Sequence, residues 1–217
     1  ASCLVGSEMC IRDRICSLGT VINQLSASEL QDKGVLANCH VNIIQTQDIN
    51  SFRTYQEEVS YLTTNSERLK FLSNLIDDVR SGGNTLVLID RIKSGEMLQE
   101  LIPGSVFIQG KTKNEDREEE YGEIATEQHK VLVATYGIAA VGINIPRIFN
   151  LVLVEPGKSF VRVIQSIGRG IRKAQDKDHV QIWDITSACK FSKRHLTARK
   201  KFYKEANYPY TINKVNL

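Results

Sequence analysis

A parallel, doubly wound α/β sheet flanked by helices is the fold this sequence predicts, and three observations predict it. Five short apolar runs have the length of strands: TLVLID (Thr85 to Asp90), SVFIQ (Ser105 to Gln109), KVLVAT (Lys130 to Thr135), FNLVLVE (Phe149 to Glu155) and HVQIWDI (His179 to Ile185). Their apolar residues are nearly continuous rather than alternating, which is the pattern of strands buried on both faces. The segments between the runs suit crossover helices, the connection that parallel strands require.

Composition agrees with one ordinary domain plus extensions. The 217 residues are 41% hydrophobic and 24% charged, enough to bury a proper core. No apolar run approaches the roughly 18 residues of a membrane span, and no segment reads as a signal peptide. Five cysteines form no CxxC pair, and the four histidines show no ligand spacing, so neither disulfides nor a metal site is expected, and the compartment is read as reducing and cytoplasmic. The net charge of +3 is unevenly spread. Eight Lys/Arg against Glu205 give Cys189 to Leu217 a charge of +7, which leaves −4 on the rest. This segment reads either as a polyanion contact or as a solvated helix face.

Taken from the N-terminus, LVGSEMCIRDR (Leu4 to Arg14) resembles the translation of a common transposase sequencing adapter. Residues 1–14 are therefore read as a non-native scar and set aside. Residues 15–50 mix short apolar stretches with polar breaks; SASELQDKG looks like a capped helical turn and VNII like a strand. This stretch reads as a connection rather than as core. From Ser66 to Ser81, Leu69, Leu72, Leu75, Ile76 and Val79 fall on one helical stripe, with Gly82 and Gly83 as stop signals. Residues 51–188 then hold the sheet, and 189–217 form a basic, helical extension.

Two segments imitate nucleotide-binding motifs. PGKSF (Pro156 to Phe160) has the tail of a phosphate loop, but the first glycine of that pattern falls on Val152, inside a strand. Asp90 closes a strand as a magnesium-holding carboxylate does, but Arg91 follows and no phosphate loop precedes it, so a structural strand end is the better reading.

In open α/β sheets, ligands meet the loops beyond the carboxyl ends of the strands. Here those loops carry an ordered polar set. IQGKTKNEDRE (Ile108 to Glu118) offers Gly110, Lys111, Lys113 and Arg117; ATYGIAAVGINIP (Ala134 to Pro146) offers Thr135, Gly137, Gly142 and Asn144; QSIGRGIR offers Gln165, Gly168, Arg169, Gly170 and Arg172. In that order they resemble motifs IV, V and VI of superfamily 2 helicases, in the second of the two RecA-like domains. TYQEE (Thr54 to Glu58), ATYGIAAVGI, the WDI strand and the terminal YTINKVNL more narrowly resemble phage UvsW-type DNA repair helicases, over about Gly19 to Leu217.

The resemblance implies a division of labour. ATP and Mg2+ would be held mainly by a preceding RecA-like domain, whose motifs I to III are missing here. Residues 15–50 would be the remnant of the linker to it, and this fragment alone would be inactive. Arg169 and Arg172 would reach across as arginine fingers, with Gln165, Gly142 and Asn144 as further nucleotide contacts. Asn144 stands where the family often has Asp; either side chain can bond a ribose hydroxyl. Thr135, Gly110 and Lys111 would hold the phosphate backbone of one DNA strand, with Arg91 and Lys93 adding to the groove. Thr135 can equally cap the turn that follows. Tyr203, Tyr208 and Tyr210 in the basic tail would stack on DNA. The implied activity is remodelling of branched or forked DNA in recombination, repair and replication, in the cytoplasm of a phage-infected host. Two alternatives stand beside it: a non-catalytic nucleic-acid-binding RecA-like module, and a piece of another superfamily 2 motor such as a restriction translocase or an RNA helicase.

Overall fold

Among the described residues, strands and helices succeed one another along the chain in the way a parallel sheet demands. The structure is a computed structural model that describes residues 38–48, 50–112, 114–141, 147–157 and 179–217. In order these elements are β1 (Asn38–Thr46), α1 (Tyr55–Thr64), α2 (Ser66–Arg80), β2 (Thr85–Ile89), α3 (Ile92–Leu101), β3 (Ser105–Ile108), α4 (Asn114–Thr126), β4 (Val131–Thr135), α5 (Tyr136–Val141), β5 (Asn150–Val154), β6 (His179–Ser187), α6 (Lys190–Glu205) and β7 (Tyr210–Val215). The seven strands form one sheet in the order β3-β4-β2-β5-β6-β1-β7. All six neighbouring pairs are parallel. The five predicted runs are β2 to β6, and the predicted amphipathic helix is α2.

The near-continuous apolar runs feed two cores at once. Leu86 and Leu88 of β2 enter one core with Leu132, Leu151, Leu153, Ile182, Tyr136 and Leu196. Val87 and Ile89, pointing the other way, meet Leu69, Leu72 and Ile76 of α2 and Leu98 of α3. Helices thus cover both faces, and each fully buried Leu, Ile or Val contributes about 1.5–3 kcal/mol. The α1 helix begins with a capping box in which the Thr54 side chain accepts from the Glu57 amide at 3.3 Å and the Glu57 carboxylate accepts from the Thr54 amide at 3.4 Å. At the end of α2 the chain turns through Gly83 at φ 130°, where an added Cβ would lie 2.7 Å from the Phe149 ring.

Two expected boundaries are redrawn. Within the stretch read as a connection, residues 38–46 form β1, lying between β6 and β7. Cys39, Val41 and Ile43 enter the same core as Val180 and Ile182, while the alternate residues His40 and Asn42 are only half-buried. Those polar alternates disguise a core strand. The basic segment after Ser187 is likewise part of the domain rather than a purely helical appendage. Leu196 and Tyr203 of α6 are core residues, and β7 pairs with β1 from Val41↔Tyr210 to Thr46↔Val215. The proposed scar lies outside the described residues. The phosphate-loop imitation is ruled out by geometry: Val152 is fully buried in β5, paired with Val87 on one side and Trp183 on the other.

Candidate nucleic-acid and nucleotide interface

Because every strand is parallel, all the carboxyl ends share one edge. Strands β3, β4 and β2 are neighbours with flush ends: Ile108 pairs with Ala134, and Ile89 with Thr135. This brings five predicted contacts to one stretch of that edge. Thr135 is the last residue of β4 and half-buried. Gly110 and Lys111 are exposed in the turn beyond β3, which closes with Thr112 N donating to the Gln109 carbonyl at 3.0 Å and Gln109 N donating to Thr112 Oγ1 at 3.1 Å. A Cβ at Gly110 would meet nothing within 4 Å, so internal packing does not require glycine there. Arg91 is the N-cap of α3, and its Nη2 donates to Gln56 Oε1 at 2.8 Å, which ties it to α1. Lys93, the second residue of α3, is exposed.

Gly142, Asn144, Gln165, Arg169 and Arg172 lie outside the described residues, as does Lys113. Among the described residues no group of three or more His, Cys, Asp and Glu could hold a metal ion, and no helix is long and apolar enough to cross a membrane. Tyr203 and Tyr208 are buried, which corrects the expectation that they stack on DNA. Tyr203 is packed in the core and its hydroxyl donates to Asp184 Oδ2 at 2.8 Å.

The same edge, at β5, β6 and β1, carries a buried polar network that the sequence does not predict. Glu155 follows β5 at φ 44°, a conformation uncommon outside glycine. It is held there by Arg68 Nη2 at 2.5 Å, by Ser192 Oγ at 3.2 Å and by its own amide, which donates to the Ile185 carbonyl at 3.0 Å. Arg68 is fully buried; it also donates to Thr46 Oγ1 and lies 3.4 Å from Asp48 Oδ2. Glu58 accepts from the Ser192 amide and hydroxyl, both at 2.7 Å, and so fixes the start of α6. Two residues beyond Glu155, the Gly157 carbonyl accepts from Arg199 Nη1 at 3.0 Å. The Arg199 fork grips Asp184 through Nε at 2.8 Å and Nη2 at 2.9 Å. Burial opposes the Arg199 charge, but Asp184 outweighs it and holds the guanidinium above its ordinary pKa. Both buried arginines sit on apolar helical stripes: Arg68 one turn before Leu72, Arg199 between Leu196 and Tyr203. A charge on such a stripe is the one signal of them that the sequence holds.

Burial pushes the Glu155 carboxyl up to about 7, with Arg68 pulling the other way. The folded protein therefore holds this proton more tightly than an ordinary glutamate at 4.5 does. The stability this confers is complete below about 4.5 and is lost as pH rises through about 7. Urea unfolding at stepped pH is expected to show a shallower decline across that window for Glu155→Gln than for the wild type. Parallel profiles would mean that Glu155 does not titrate there.

Comparison with known proteins places this geometry. Residues 67–174 match the helicase conserved C-terminal domain. The chain is 25% identical over 201 residues to the ATP-dependent DNA helicase uvsW of Enterobacteria phage T4, covering 88% of this chain and 40% of that protein. The crystal structure of T4 UvsW superposes with a TM-score of 0.71 at 21% identity, covering 83% of this chain and 42% of that one. A fragment of a putative HsdR subunit of a type I restriction enzyme from Vibrio vulnificus YJ016 superposes with a TM-score of 0.74 at 15% identity, over 98% of this chain and 43% of that one. The chain thus spans less than half the length of each of these proteins.

Proposed function

We propose that this chain, whose residues 67–174 match the helicase conserved C-terminal domain, serves as the second RecA-like domain of an ATP-dependent superfamily 2 DNA helicase that remodels branched or forked DNA in recombination and repair. One observation carries the reading: Thr135, Gly110, Lys111, Arg91 and Lys93 gather at the carboxyl edge of three adjacent parallel strands. β5 ends at the same edge, and the sequence continuing from it holds Gln165, Arg169 and Arg172. The first set offers a lysine-bearing surface for one strand's phosphate backbone, a contact indifferent to base sequence. The second offers permanently charged forks for the phosphates of ATP held by a preceding RecA-like domain. Gly142 and Asn144 complete the nucleotide contacts on this side. A magnesium ion, held by that other domain, would neutralise phosphate charge during hydrolysis.

In this scheme ATP closes the cleft between the two domains, and hydrolysis followed by release reopens it. The backbone grip at β2, β3 and β4 then moves relative to the grip of the other domain, and the enzyme advances along DNA. The test joins this chain behind the nucleotide-holding domain of a related helicase and measures ATP hydrolysis with and without forked DNA. Stimulation by DNA is expected. A joined protein that binds both ligands yet hydrolyses ATP no faster with DNA present would overturn the reading.

A further inference from the structure

Helix α6 has two opposed stripes of different character. Ser192, Leu196, Arg199 and Tyr203 recur every three or four residues and are buried. On the opposite side Lys190, Lys193, Arg194, Thr197, Lys201 and Lys204 are all exposed. Five of these six are cationic, and the one acid on the helix, Glu205, lies 3.7 Å from Lys201. At 1.5 Å per residue the row extends about 21 Å. Near its end it borders a concavity of about 300 Å³ lined by Thr197, Lys200, Lys201 and Lys204. The helix is not free to roll, because the Arg199 fork on Asp184 and the Tyr203 hydroxyl fix its inner side.

The charge is also segregated across the molecule. The segment from Cys189 carries +7 while the rest of the chain carries −4, and a dense run of acids lies on α4, which links β3 and β4 at the opposite end of the sheet. On α2 the partly exposed Arg80 stands 3.1 Å from Asp77, whereas the outward row of α6 itself holds no acid.

We infer that the outer face of α6 is a second contact surface for the phosphate backbone of nucleic acid, separate from the carboxyl edge of β2, β3 and β4. Protein interfaces deplete charge, lysine above all, and enrich aromatic residues at their centres. The outward row has no aromatic or large aliphatic residue, so an acidic protein would find charge but no apolar anchor. A phosphate backbone needs only the charge. The inference rests on the nucleic-acid reading above and adds a surface to it, so that DNA leaving the edge would be held along α6 as well.

The test uses the chain as it stands, with fluorescein-labelled forked DNA followed by anisotropy over a salt series. The variant K193Q/R194Q/K201Q/K204Q is compared with the edge variant K93Q/K111Q and with the wild type. Each duplex phosphate that is no longer neutralised lowers the slope of log K against log salt by about 0.9. The α6 variant is therefore expected to reduce the slope by about two to four, and the edge variant by a separate, additive amount. A two-site reversal, K193E/K204E, reads the same slope with less surface altered and is expected to weaken binding even if the four-site variant melts early. An unchanged slope in both α6 variants, with a reduced one in K93Q/K111Q, would overturn the inference and leave the edge reading intact. Wild-type binding that ignores salt would overturn both.

Discussion

Replacing Arg172 with alanine in the joined two-domain protein is expected to reduce DNA-stimulated ATP hydrolysis by about 10³-fold or more, the scale on which arginine fingers act in nucleotide hydrolases. DNA affinity should stay within a few-fold, because the proposed backbone contacts belong to other loops. The size of the effect follows from timing. Charge develops on the transferring phosphoryl group, so a fixed guanidinium stabilises the transition state more than the bound ground state. Arg172→Lys keeps the charge but loses the planar fork and should recover only part of the rate. Arg169→Ala should behave similarly, since the proposal gives both arginines the same role. Turnover that survives Arg172→Ala would remove the finger assignment while leaving the carboxyl-edge surface untouched.

Arg199→Leu is expected to destabilise the fold by about 3–5 kcal/mol. Asp184 is fully buried, and its two oxygens take the Arg199 fork and the Tyr203 hydroxyl. Removing the guanidinium strands a carboxylate in the core and also leaves the Gly157 carbonyl without that donor. Against a typical total of about 5–15 kcal/mol this is a large share. The double variant R199L/D184L should recover most of the loss, because two apolar residues leave no isolated charge. Urea denaturation followed by circular dichroism measures both. A loss under about 1 kcal/mol for Arg199→Leu would mean that Asp184 does not depend on the guanidinium.

The buried arginines also mark where the sequence can be read and where it cannot. β2 to β6 are legible because both faces of each strand are buried, which writes the strand as one apolar run. The edge residues are legible because loops after such strands carry their polar residues in order. β1 and β7 do not read as parts of the sheet, since half of each strand's side chains are polar: His40 and Asn42 in β1, Thr211 and Asn213 in β7. Arg199 counts, by sequence, among the charges of a basic segment, and Arg68 stands out only as a charge on the apolar stripe of α2. The pairings that bury such groups span long stretches of sequence: Glu155 is 87 positions from Arg68, and Glu58 is 134 from Ser192. Composition cannot announce pairings at that distance; only the helical stripe on which each arginine sits hints at burial.

The place of β1 has a consequence for synthesis. Its neighbours are β6, which begins at His179, and β7, which ends at Val215. A ribosome delivers β1 well over a hundred residues before either partner exists, and closing so long a loop is entropically slow. Throughout that interval Val41, Ile43 and Ile44 belong to an unpaired apolar strand with both edges open, the kind of segment that pairs with copies of itself. A nascent chain halted before residue 179 therefore emerges with β2, β3, β4 and β5 available to pair and with β1 unprotected.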